Sequence, residues 1–271
     1  MSERLLSALR HPALAGIARP FVEGWRAAGV AFRIALVVWA LGMIAIPILN
    51  WTIGPAALDL AIPFSVIAQG VVVLIALIDA WGAPRALGTA LLIAAVTWAA
   101  EAVGSATGVP FGAYSYTDKL QPQLLDVPLL IPFAWLMMLP PAWAVARRIS
   151  GRWGGAAFVL ASAAAMTAWD LFLDPQMVGW GLWTWHNGGG YFGIPWVNFA
   201  GWMLTAAVVT LLARPRDLPT GPLLIVYAIT WFLSWFGLAF FWGLPGPAAA
   251  GFVVMGLVLA LALARPEEVQ R

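Results

Sequence analysis

Long apolar runs recur along most of this chain and are separated by short stretches of glycine, proline and charged residues. Each run has about 20 residues, the length at which a helix crosses the ~30 Å hydrocarbon core of a bilayer. The residue alternation typical of membrane barrels is absent, so the spans are predicted to be helices. Only 10% of the residues are charged, against roughly 25% in soluble domains. The sequence therefore predicts an all-α, polytopic integral membrane protein.

The runs predict about eight transmembrane helices in a single membrane domain, residues 30–265. The approximate spans are 31–49, 61–80, 86–104, 128–146, 155–173, 196–213, 222–243 and 248–264. Residues 1–29 mix arginine with large apolar residues, which predicts an amphipathic cytoplasmic segment broken near Pro12 and Pro20. Residues 266–271 are predicted to form a short cytoplasmic tail.

The basic residues favour one orientation of these spans. If the N-terminus is cytoplasmic, all thirteen arginines fall on the cytoplasmic side, and Lys119, the single lysine, falls outside. This asymmetry follows the positive-inside rule. We therefore expect a multi-pass protein of the bacterial cell membrane with both termini inside. The loops 105–127 and 174–195 then share the outer face.

Three carboxylic acids lie near the outer ends of the spans. Asp170 and Asp174 are one turn apart on one helix face, and Glu101 lies in the third span. An ionised carboxylate at mid-bilayer costs roughly 2.5–3.5 kcal/mol, and two close carboxylates do not both ionise easily, so one can hold a proton for acid catalysis. All three are predicted catalytic residues. The structural alternatives are an interfacial cap for Asp174, beside Pro175 where the helix is expected to end, and a hydrogen bond between adjacent spans for Glu101.

Aromatic and polar residues of the outer loops accompany these acids. Each ring face attracts a cation by roughly 0.5–2 kcal/mol, so a group of rings can stabilise a carbocation, although a membrane-interface belt explains any single tryptophan. The predicted substrate-binding residues are Tyr114, Tyr116, Trp180, Trp183, Trp185, Tyr191, Asn198 and Trp202. Asn198 could orient a water molecule or bond a neighbouring helix. His186 is interpreted as a solvated loop imidazole, and no metal site is predicted.

The acid and the loop motif after it occur twice. Glu101 precedes Gly112-Ala-Tyr114-Ser-Tyr116, and Asp170 precedes Gly181-Leu-Trp183-Thr-Trp185, with each glycine eleven residues after its acid. The pattern suggests a parallel repeat of residues 86–146 and 155–213. Chance similarity is the alternative.

Several function classes are disfavoured by residues that the sequence lacks. Without cysteine, disulfide and thiolate chemistry are excluded. A retinal Schiff base needs a lysine within a span, whereas Lys119 lies in a loop. A membrane prenyltransferase needs a second Asp-rich motif to hold magnesium diphosphate. No nucleic-acid partner is predicted, and membrane lipid is the expected surrounding.

Taken together, the motifs resemble the membrane-bound carotenoid biosynthesis proteins that include γ-carotene 1',2'-hydratases and bisanhydrobacterioruberin hydratases. The resemblance covers roughly residues 95–215. Its first block is Glu101-x-x-Gly104-x-x-x-Gly108-x-Pro110-Phe-Gly112-x-Tyr114-x-Tyr116, followed by Val127-Pro128 and Trp135. Its second block is Asp170, Asp174-Pro175, Trp183-x-Trp185, Tyr191-Phe-Gly193-Ile-Pro195 and Asn198-Phe-x-Gly201-Trp202.

The resemblance implies addition of water to a terminal C=C bond of an acyclic carotenoid, such as lycopene, γ-carotene or a bacterioruberin precursor. Such a hydro-lyase needs an acid, a pocket that tolerates a tertiary carbocation and a positioned water, and no metal, nucleotide or redox cofactor. Asp170, paired with Asp174 or Glu101, is the expected proton donor. The alternatives are a carotenoid end-group cyclase or isomerase, a non-catalytic lipid or carotenoid carrier, and a proton-coupled transporter.

Overall fold

Each predicted apolar run forms one long helix in the structure, a computed structural model that describes residues 12–265. The helices are α1 (Pro12–Ala27), α2 (Val30–Thr52), α3 (Leu58–Trp81), α4 (Ala83–Thr107), α5 (Ile131–Ser150), α6 (Gly155–Gly179), α7 (Trp196–Ala213), α8 (Thr220–Phe240) and α9 (Pro245–Ala264). Strand β1 (Tyr114–Tyr116) pairs with β4 (Trp183–Trp185), and β2 (Gln123–Leu124) pairs with β3 (Val127–Pro128). The prediction of an all-α membrane bundle is confirmed.

Within residues 12–265, seven helices are long and apolar enough to cross a membrane: α2, α3, α4, α6, α7, α8 and α9. Helix α5 coincides with the predicted fourth span but is less apolar, because it contains Pro140 and Pro141 and has Arg147 and Arg148 in its last turn. Sixteen of its twenty residues are buried, in contacts with α3, α4, α6 and α8. Helix α5 is therefore an inner helix that its neighbours screen from lipid.

Helix α1 differs from the broken segment predicted within residues 1–29. It begins at Pro12 and continues through Pro20 to Ala27. It packs along α8, so closely that a Cβ on Gly24 would lie 2.5 Å from the carbonyl carbon of Gly221. This packing stabilises a helix that an interior proline would otherwise interrupt. Residues 1–11 and the predicted tail, 266–271, lie outside the described residues.

The two ends of the bundle differ in charge. The connections α3–α4 and α7–α8 meet at one end, where Arg85 Nη2 donates to the carbonyl oxygen of Arg216 at 3.0 Å. Lys119 lies at the opposite end and donates from Nζ to the carbonyl oxygen of Trp180 at 2.7 Å. Arg85 and Arg216 are therefore separated from Lys119 in the fold, as the sequence predicts. The assignment of the arginine-rich end to the cytoplasm stays a prediction.

The β1–β4 ribbon joins the two loops that contain the acid-linked motifs. Its register pairs Ser115 with Thr184 at the centre. These residues occupy equivalent positions in the two motif copies, so the ribbon has local twofold symmetry. The loops 105–127 and 174–195 therefore meet at one end of the bundle, as the sequence predicts. The sequence repeat itself stays a prediction.

Candidate active site

Helix α6 carries two of the three predicted acids and runs to Gly179, rather than ending at Pro175 as the sequence predicts. Because proline has no backbone N–H, Pro175 leaves the carbonyl oxygen of Leu171 without its helical partner. The hydroxyl of Tyr191 donates to that oxygen at 2.9 Å. The predicted helix end is wrong because a side chain from the next loop replaces the missing bond. The same contact holds this loop against α6, next to Asp170.

Asp170 and Asp174 form a buried acid pair that Asn198 bridges. Their exposed fractions are 0% and 2%. Asn198, in the first turn of α7, donates from Nδ2 to Asp170 Oδ2 at 2.9 Å and also to Asp174 Oδ2. Trp183 Nε1 donates to Asp174 Oδ1 at 2.7 Å. The interfacial-cap alternative for Asp174 therefore does not hold. Asp170 Oδ1 is buried and has no hydrogen-bond partner among the described residues.

Glu101, on α4, forms a second buried acid centre. Its Oε2 atom accepts hydrogen bonds from the hydroxyls of Tyr114 at 2.6 Å and Tyr116 at 2.9 Å, and Oε1 takes part in neither bond. Burial raises the pKa of both phenols, and the charge of Glu101 raises it further. Both tyrosines therefore remain protonated donors at physiological pH. Both of these hydrogen bonds run to the loop that directly follows α4.

The acids border an apolar cavity of about 230 Å³. The predicted site residues that line it are Glu101, Asp174, Asn198, Tyr114, Tyr116, Trp180, Trp183, Trp185 and Trp202. Asp170 is not part of the lining and connects to it through Asn198. Tyr191 is also outside the lining and packs edge-on against Phe199, with ring centroids 5.1 Å apart.

Aromatic rings form much of the wall around the acids. Trp135 and Trp202 stack with their ring centroids 4.3 Å apart, and the rings of Tyr114 and Trp185 lie 5.2 Å apart. Among the described residues, no lysine, arginine or histidine lines the cavity. Ring faces and carboxyl groups are therefore the groups available to attract a cation. The cavity is suited to a reaction that passes through a carbocation.

His186 lies apart from these acids, directly after β4. Its side chain is exposed, with Nε2 2.8 Å from Ser115 Oγ, and it is not part of the cavity lining. This position agrees with the interpretation of His186 as a solvated loop imidazole.

Helices α2, α3 and α8 contribute a part of the cavity lining that was not predicted from the sequence. Gln69, buried on α3, donates from Nε2 to Thr230 Oγ1 at 3.1 Å and to the carbonyl oxygen of Met137 at 3.3 Å. Ser65 and Ser234 line the same cavity. A polar residue inside an apolar run is a signal of a functional position, and Gln69 carries that signal. The apolar residues of α2 carry none.

Comparison with known proteins agrees with the resemblance seen in the motifs. The family model described as carotenoid biosynthesis protein matches residues 61–259, which extend from α3 to α9 and include all three acids. A bisanhydrobacterioruberin hydratase from Haloarcula japonica is 30% identical over 170 residues, which cover 58% of this chain and 58% of that relative. No solved structure matches the chain. Because the family model matches more than half of its residues, the chain belongs to the carotenoid biosynthesis protein family.

Proposed function

We propose that this protein is a cofactor-independent carotenoid hydratase, a hydro-lyase that adds water to the terminal C=C bond of an acyclic carotenoid end group. The product would be a tertiary alcohol. The observation that carries the proposal is one aromatic cavity with two buried acid centres in its wall, Asp174 and Glu101. The relative described as a hydratase supports the reaction type. Lycopene, γ-carotene and bacterioruberin precursors are the proposed substrate class.

In this proposal the acid pair supplies the proton. Asp174 faces the cavity, and Asp170 connects to it through Asn198. Two neighbouring carboxyl groups in an apolar site do not both ionise easily, so the pair retains a proton. Asp174 transfers this proton to the less substituted carbon of the double bond. A C–H bond forms, the π bond breaks and a tertiary carbocation remains at the other carbon.

Glu101 is the proposed base that activates the water. Its Oε2 atom is occupied by the two tyrosine hydroxyls, so Oε1 is the oxygen that can accept a proton from water. The water oxygen forms a C–O bond to the cation while its proton passes to Glu101. The net change is one water added to the substrate, and return of the proton from Glu101 to the acid pair restores the site. A positioned general acid or base contributes roughly 10²–10⁴-fold to the rate.

A carotenoid cyclase or isomerase would begin with the same protonation but would exclude water from the cation. The cavity lining favours a hydratase over a cyclase or isomerase, because Ser65, Gln69 and Ser234 can hydrogen-bond water inside the cavity. A passive carrier could use the same cavity without requiring the acids. A proton-coupled transporter would show a flux that depends on the proton gradient.

We further propose that the protein lies in the bacterial cell membrane with the β1–β4 ribbon on the outer side. The arginines of the opposite end support this orientation, since basic residues are enriched in cytoplasmic loops.

The test is to express the chain in a bacterium that accumulates lycopene or γ-carotene and to measure the masses of the extracted pigments. A product heavier by one water, with the polyene absorption unchanged, is the expected result. An isomer of unchanged mass would indicate a cyclase or isomerase. Unchanged pigment that co-purifies with the protein would indicate a carrier. The Glu101→Gln variant, expressed in parallel, should give no product.

A further inference from the structure

Four of the residues that line the cavity are also exposed on the outside of the bundle. Ile44 and Ile48 belong to α2, Phe236 belongs to α8, and Phe241 directly follows α8. Their exposed fractions lie between 40% and 51%. Every other described residue of the lining is buried or half-buried. The cavity therefore opens sideways, between α2 and the end of α8.

The rim of this α2–α8 opening is apolar. Helix α2 packs mainly along α3 and touches α8 in few places, which leaves a gap between the two. Pro47 also lines the cavity at this point and removes the helical hydrogen bond to the carbonyl oxygen of Met43. Helices α2 and α8 are both apolar enough to face lipid. The opening therefore leads into the hydrocarbon region of the membrane rather than into water.

The size of the cavity limits what it can enclose. Pockets that enclose drug-sized ligands usually measure about 300–1,000 Å³, and this cavity measures about 230 Å³. A long polyene cannot fit inside it entirely. The end group of a polyene can reach the acids only if the rest of the polyene extends out of the cavity through a gap with apolar walls.

We propose that the α2–α8 opening is the entrance for a long isoprenoid polyene dissolved in the bilayer, and that the polyene chain occupies the gap while its end group is at the acids. The identity of this occupant rests on the proposed function. In this arrangement Ile48 and Phe236 contact the polyene and not its reacting double bond. They therefore affect substrate entry rather than the chemical step.

Thiol labelling can test the entrance because the chain has no native cysteine. Ile48→Cys places a single thiol at the opening. Leu41→Cys places one on the same helix, at a position that is 60% exposed and outside the lining. Each full-length variant is reconstituted in liposomes with and without lycopene, and its rate of modification by pyrenyl maleimide is measured. If about nine-tenths of the openings hold lycopene, modification at Ile48→Cys should slow about tenfold, while Leu41→Cys should react at an unchanged rate.

The modified proteins give a second measurement. Pyrene attached at Ile48→Cys should block hydration, and pyrene at Leu41→Cys should leave it unchanged. Equal lycopene protection at both positions, or full activity of the labelled Ile48→Cys protein, would overturn the entrance. If lycopene slows labelling only at Ile48→Cys, and the unlabelled protein does not hydrate lycopene, the entrance is supported and the hydratase proposal is refuted. Phe236→Cys repeats the test from the α8 side if Ile48→Cys does not fold.

Discussion

Tyr116 and Trp183 are partners across the β1–β4 ribbon, and each donates a hydrogen bond to a different acid. Tyr116 donates to Glu101 at 2.9 Å, and Trp183 donates to Asp174 at 2.7 Å. Their rings meet edge to face with centroids 5.7 Å apart. The ribbon therefore fixes the relative position of the two acid centres through one side chain from each motif copy.

The first prediction concerns this link to Glu101. Tyr116→Phe removes the hydroxyl and keeps the ring contact with Trp183. A hydrogen bond to a charged group contributes roughly 1.5–3 kcal/mol, so product formation should fall about 10- to 100-fold. The measurement is hydrated pigment formed per amount of folded protein.

Tyr227→Phe is the matched control for this substitution. Tyr227 is also buried and donates to a backbone oxygen, that of Ala165, at 2.9 Å, but it does not line the cavity. Its loss should lower thermal stability and leave the rate per folded molecule unchanged. Equal losses of activity in the two variants would show that the Tyr116 bond has no particular role in the reaction.

The second prediction concerns the acid pair. Asp174→Asn should lower turnover by about 10²–10⁴-fold, because an amide cannot donate a proton to an alkene. Asp170→Asn should also abolish turnover, because Asp174 then has no acid with which to share a proton. Asp118→Asn, in an exposed part of the loop after β1, should have no effect. Asp174→Asn activity above a tenth of the wild-type value would refute the assignment of the proton donor.

The third prediction concerns the bond that Tyr191 makes across Pro175. Tyr191→Phe leaves the carbonyl oxygen of Leu171 without a donor, which should cost about 1–3 kcal/mol. In a Pro175→Ala background the new backbone N–H can reach that oxygen, so the same substitution should cost less. Thermal unfolding of the four proteins in detergent gives the coupling between the two sites. If the two substitutions change stability strictly additively, the tyrosine hydroxyl does not substitute for the backbone hydrogen bond that Pro175 cannot make.

The fourth prediction concerns orientation. Asp118→Cys lies at the ribbon end and Arg152→Cys at the arginine-rich end, and both positions are exposed. A maleimide that cannot cross membranes should label Asp118→Cys in intact cells and should label Arg152→Cys only after the cells are opened. The reverse pattern would place the ribbon in the cytoplasm.

The sequence predicted the positions of the long helices well, because burial in lipid demands an apolar run wherever a helix crosses. It predicted less well where one residue's conformation depends on a distant one. The end of α6 is an example, since continuation past Pro175 depends on Tyr191, sixteen positions later in the chain. The course of α1 through Pro20 likewise depends on its contact with α8.

For the site, residue chemistry predicted the acids of both centres and six of the thirteen aromatic residues that line the cavity, because charged groups and clustered tyrosines are rare in membrane segments. Both the rotation of a helix and the position of a residue along its axis decide which side chain reaches the cavity, and sequence spacing alone determines neither. Asp170 and Asp174 share a helix face, yet Asp174 lines the cavity and Asp170 does not. The opening at Ile44 and Ile48 was not predictable, since these residues resemble any lipid-facing pair.

The enclosed position of α5 has a consequence for biogenesis. A segment that contains two interior prolines and has two arginines in its last turn inserts into lipid less readily than its neighbours. Two helices that enclose it, α6 and α8, are synthesised later, so the nascent protein must shelter α5 against α3 and α4 until they arrive. Truncation before α6 should therefore leave a chain whose last helix is poorly retained in the membrane.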